Sequence, residues 1–103
     1  MATQQFALEE VEAFVADLHE LGIHPQQVIL FGSFARNEQR EWSDIDLAIV
    51  AEEFSGFRPE DSGRMSPALV RHVDIEPHSF RPEDFTDWNP FVQEIKRTGI
   101  RVV

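Results

Sequence analysis

At 103 residues, 42% of them hydrophobic, the chain has room for one domain, residues 1–103, around one core, and it is too apolar to be disordered. Its net charge is −10 and Lys96 is its only lysine, a balance that repels a phosphate backbone, argues against direct nucleic-acid binding and would attract a basic protein partner. The absence of cysteine removes disulfides and thiolate metal sites, and with neither an apolar run of membrane-spanning length nor a signal-peptide pattern, a cytoplasmic location away from membranes is expected.

In chain order, Leu8, Val11, Phe14, Val15, Leu18 and Leu21 recur at helical spacing and predict an amphipathic helix over about residues 5–21, stopped by Gly22 and Pro25. The apolar run Val28-Ile29-Leu30-Phe31 predicts a buried strand over 27–31 that breaks at Gly32. Ser33 to about Asn37 is expected to form a short helix with its N-terminal amides free for a phosphate. Leu47-Ala48-Ile49-Val50 predicts a second strand over 45–51. Residues 53–66, with Ser, Gly, Pro and charges, read as a loop or mobile segment, and 67–70 as a short helical piece. Arg71 to Phe80 alternates, placing Val73 and Ile75 on one face and His72, Asp74, Glu76 and His78 on the other, and predicts a third strand. Pro82 to Phe85 reads as a turn or short helix. Pro90 starts a helix with Phe91, Val92 and Ile95 inward, Gly99 stops it, and Ile100 to Val103 predicts a last short strand. The elements predict an α/β (α+β) domain: a small mixed sheet with helices packed on one side.

The most informative stretch is Gly32-Ser33 followed, after ten residues, by Asp44-Ile45-Asp46. Residues two apart on a strand share a face, so both carboxylates should point the same way. Two acids held side by side repel each other, and a divalent cation resolves that conflict; Mg²⁺ in phosphoryl-transfer sites is commonly held by one or two carboxylates plus substrate phosphates. Each half alone has an ordinary structural reading, a turn for Gly-Ser and a cap or solvated edge for Asp-x-Asp. Their spacing between two apolar strands makes the site reading stronger. Elsewhere, Trp42 reads as packing over its loop, with stacking on a base as the alternative, and His72 and His78 read as exposed-face histidines rather than metal ligands.

Gly32, Ser33, Asp44 and Asp46, together with the run Ser43-Asp44-Ile45-Asp46-Leu47, resemble the hallmark Gly-Ser-x10-Asp-x-Asp of the DNA polymerase β-like nucleotidyltransferases. The chain looks most like their smallest single-domain, MNT-type members. Asn37 stands where that pattern usually has Gly, but Asn tolerates positive φ better than most residues. The resemblance implies a nucleotidyltransferase fold in which Asp44, Asp46 and a third acid hold two Mg²⁺ ions on a triphosphate. Gly32 and Ser33 would receive the β- and γ-phosphates, and Arg36 would pair with a phosphate. The family places the third acid within an apolar run on a following strand; Asp74 is preferred, Glu76 is the alternative, and the two could divide metal and proton between them. The implied reaction moves a nucleoside monophosphate, most simply AMP from ATP, to a hydroxyl acceptor, with a HEPN-type toxin as the implied partner of an MNT antitoxin. A catalytically weak module that neutralises its partner by contact is the competing reading, and a homo-oligomer could supply an acceptor site. With no Tyr in the chain, self-modification at tyrosine is excluded.

Overall fold

The computed structural model describes residues 2–103 and builds them around one four-stranded sheet of order β3-β2-β1-β4. Helix α1 runs Gln4–Glu20, β1 Gln27–Phe31, β2 Ile45–Val50, α2 Arg58–Leu69, β3 Ile75–Phe80, α3 Pro90–Thr98 and β4 Ile100–Arg101, with a 3-10 turn at Pro82–Asp84. β1 pairs antiparallel with β2 and with β4, whereas β2 and β3 are parallel. Parallel neighbours need a crossover, and α2 lies within that connection.

Helix α1 forms where its periodicity predicts. The Thr3 side chain accepts from the Phe6 amide at 3.0 Å, which satisfies one free N–H of the first turn. Gly22, at φ +81, lets the chain leave at the other end. Ala7, Val11, Phe14, Val15 and Leu18 are buried against Val28, Leu30, Ile45, Leu47 and Ile49 of the sheet, with Met65 and Ala68 of α2 in the same layer. The opposite residues of the same strands, Ile29, Ala48 and Val50, form a second layer with Phe80, Phe85 and with Val92 and Ile95 of α3. The mixed sheet agrees with expectation, but the helices are not all on one side. β2 is apolar at both parities from Leu47 to Val50, so each face needs its own cover.

Residues 53–66 are not a loop: most of them belong to α2. Proline is compatible with the first turn of a helix, where Pro59 lies. The carboxylate of Asp61, fully buried, accepts from the Ser55 amide at 2.8 Å, the Ser55 hydroxyl at 3.1 Å and the Gly56 amide at 3.1 Å. That acid in the first turn favours the positive end of the helix dipole and ties it to the preceding chain. Pro67 falls in the last turn, where it forfeits one helical hydrogen bond, and the predicted piece at 67–70 is the end of this helix. The short helix expected at 33–37 is instead a set of turns, with the Arg36 amide on the Gly32 carbonyl and the Glu38 amide on the Ser33 carbonyl. Asn37 takes φ +55 there, as its amide side chain allows. No helix among the described residues is long and apolar enough to cross a membrane.

Candidate active site

The bend and the acid pair meet at one point. Phe31 ends β1 opposite Asp46 of β2, and Asp46 is in turn opposite Glu76 of β3. Gly32 follows at φ +75, a conformation a side chain disfavours. A Cβ built on Gly32 would run into Oδ2 of Asp46 and lie 3.2 Å from its Cγ. Glycine therefore does two things at this position: it makes the turn, and it leaves the Asp46 carboxylate its place against the backbone.

Asp46, Glu76 and His78 each offer one ligand atom, and the three atoms lie within 4.8 Å of one another. They sit on the α3 side of the sheet, because 46 shares its parity with Ala48 and Val50, and 76 and 78 share theirs with Phe80. Nε2 of His78 is 3.8 Å from Oδ1 of Asp46. The imidazole lies opposite Ala48, whose small side chain leaves it room. Phe31 and Phe91 meet it edge to face, with ring centres 5.1 and 5.8 Å away. Partial desolvation, reinforced by the neighbouring Asp46 carboxylate, holds the Glu76 pKa above the ordinary glutamate value; Asp44 adds to the repulsion and His78 opposes it. A crowded set of negative oxygens with a nitrogen donor is the chemistry of a divalent-cation site, so these residues fit such an ion.

The other sequence-predicted residues fall around this centre with different standing. Asp44 is exposed one residue before β2, near enough to Glu76 to influence its ionisation but outside the group of three. Ser33 is half-buried in the turn after Gly32. Arg36 is exposed and pairs with Glu38 at 3.4 Å. Asp74, preferred over Glu76 as the third acid, does not join the cluster. β3 begins only at Ile75, and Asp74 lies in a turn closed by the Ile75 amide on the His72 carbonyl. Alternation therefore does not carry 74 onto the face of 76. Asp74 instead lines a hollow of about 290 Å³ with Phe6, Phe34, Trp42 and Ile45.

The same early end of β3 separates the histidines. His72 is held between Glu10 and Asp17 of α1, its Nδ1 and Nε2 each 2.9 Å from a carboxylate oxygen. Burial opposes protonation there, but the two carboxylates outweigh it and raise the pKa. Val73, expected to share a strand face with Ile75, is 81% exposed while Ile75 is buried, and Trp42 at 87% exposed does not pack over its loop. Phe91, expected in the core, is partly exposed and borders the site through its contact with His78. The signal for His78 was present in its spacing of two from Glu76; what was missing was the strand boundary that excludes His72.

A mixed sheet whose strand ends bring a Gly-Ser bend against an Asp-x-Asp carboxylate defines a nucleotide-transfer fold. Residues 8–98 match the family model described as "Nucleotidyltransferase domain", and the chain belongs to that family. Among solved structures it is similar in fold to a mutant form of the toxin-antitoxin MntA-HpeT, with a TM-score of 0.61 and 16% identity over 93% of this chain and 72% of that one. No curated protein matches it in sequence.

Proposed function

We propose that this protein transfers a nucleoside monophosphate, AMP from ATP, to a hydroxyl on a partner protein, and that the partner is a HEPN-type toxin for which it serves as an MNT-type antitoxin. The observation that supports the site reading is the close approach of the Asp46 carboxylate to Gly32, so that the turn proposed here for phosphate and the acid proposed for the cation are neighbours. The partner reading is supported by the fold shared with the toxin-antitoxin MntA-HpeT, by the resemblance to MNT proteins, and by a net charge of −10 that suits a basic partner.

In this reading Asp46 and Glu76, aided by Asp44 at the rim, hold Mg²⁺ or a similar divalent ion. When bound, such an ion neutralises charge on the triphosphate and on the departing pyrophosphate, and lowers the pKa of the attacking hydroxyl. The turn at 32–37 receives the terminal phosphates through its backbone amides and Ser33. Arg36 exchanges Glu38 for a phosphate oxygen. The acceptor oxygen bonds to the α-phosphorus as the bond to the bridging α–β oxygen breaks and pyrophosphate leaves. The hydroxyl proton passes to the exposed Glu76 carboxylate and then to water.

The test is incubation with α-labelled ATP, Mg²⁺ and the candidate toxin, read by intact mass and label. A gain of one nucleotide unit on the partner, lost in Asp44→Asn and Asp46→Asn proteins that remain folded, is expected. Neutralisation of the toxin with no mass change would establish instead the contact-only module.

A further inference from the structure

His78 is a polar group whose position the nucleotide reading does not use. Its side chain is 18% exposed, and both ring nitrogens are buried without a hydrogen-bond partner. A buried polar group left without a partner is destabilising, so an imidazole with neither nitrogen engaged calls for an explanation. The separation of 3.8 Å from Nε2 to Asp46 Oδ1 is too long for a hydrogen bond. It is, however, a span that one ion can bridge: bonds of about 2.1 Å put neighbouring ligand atoms about 3 Å apart and opposite ones about 4.2 Å apart. Phe31 and Phe91 pack on the ring and keep it from turning away.

We propose that His78 is a direct ligand, through Nε2, of the cation held by Asp46 and Glu76, and that this mixed nitrogen–oxygen set selects a divalent transition ion over Mg²⁺. The inference rests on the reading of Asp46 and Glu76 as cation ligands, but not on nucleotide transfer. Mg²⁺ takes oxygen ligands and keeps its waters, whereas an imidazole favours the borderline ions of the first transition row. A histidine ligand therefore shifts selectivity without adding another negative charge to a site already crowded with carboxylates.

The experiment uses Mn²⁺ as the probe, on the full chain, with and without a non-hydrolysable ATP analogue. Pulsed EPR of the Mn²⁺-loaded protein should show modulation from a directly bound nitrogen. That signal should change when the histidines carry ¹⁵N and vanish in His78→Gln. Titration should show Mn²⁺ binding at least tenfold tighter than Mg²⁺, a preference that His78→Gln removes while Mg²⁺ affinity stays within about twofold. Bound Mn²⁺ with no histidine nitrogen signal in the wild type overturns the proposal, whether or not the variant folds. If Asp46→Asn then still abolishes transfer, the nucleotidyltransferase reading stands without it. Failure of Mn²⁺ to bind under either condition overturns both.

Discussion

Glu76 should make the protein less stable, and replacing it by Gln should reveal by how much. Its ligand oxygen lies within 4.8 Å of that of Asp46. Two unit charges at that separation repel by about 0.9 kcal/mol in a water-like dielectric and about 3.5 kcal/mol at an effective dielectric of about 20. Glu76 is exposed, so solvent screening favours the lower figure, and we expect Glu76→Gln to stabilise the apo protein by about 1 kcal/mol at pH 7. For a chain of this size that is a rise in Tm of about 4–8 °C. The pH dependence follows from the direction of the shift. The Glu76 pKa is raised in the fold, so the ionised form is the unfavourable one. The penalty is complete above the raised value and fades as pH falls through it toward the unfolded glutamate pKa of about 4.3. Thermal unfolding by circular dichroism, in EDTA at pH 7 and at pH 4, should therefore show a gap between variant and wild type that closes in acid. Adding a divalent cation at pH 7 should stabilise the wild type more than the variant. A variant no more stable than wild type at pH 7 in EDTA would refute the like-charge account of the site.

Gly32→Ala should lose about 1–2 kcal/mol from the positive φ alone, and should also lose transfer because the new methyl displaces the Asp46 carboxylate; wild-type activity in a folded Gly32→Ala protein would contradict the close approach. Asp74→Asn should leave transfer within about twofold of wild type while Glu76→Gln abolishes it, since only Glu76 stands beside Asp46; the reverse order would restore Asp74 as the third acid. His72→Gln should destabilise by about 1.5–3 kcal/mol at pH 5.5, through loss of charged hydrogen bonds to Glu10 and Asp17. Because the His72 pKa is raised, that stabilisation is complete below the unfolded value of about 6.5 and is lost as pH rises through the folded value. Urea unfolding at pH 5.5 and pH 9 should show the difference shrink, and a difference independent of pH would mean that packing alone holds His72.

Much of this protein is local and could be read directly. The period of α1, the apolar runs of β1 and β2, and the stops at Gly22, Gly32 and Gly99 are properties of neighbouring residues, and each element lies within a residue or two of expectation. The Gly-Ser and Asp-x-Asp spacing was legible for the same reason, since the turn and the strand that follows each carry half of it. Helix α2 was hidden because its support is tertiary. Ser62, Gly63 and Pro67 have poor helix propensity, and what holds them is the buried Asp61 and the packing of Met65 and Ala68 under α1. Alternation likewise could not say where β3 begins. His72, Asp74, Glu76 and His78 alternate without a break, yet the paired register with β2 starts at Ile75, opposite Ile45, and Asp74 contributes only its carbonyl, which accepts from the Ile45 amide at 2.7 Å. The residues alone thus determine that a bend and two acids exist at a set spacing. Which third acid and which histidine join them is decided by strand pairing, because only the register of β3 on β2 places Glu76 and His78 beside Asp46 and turns His72 toward α1.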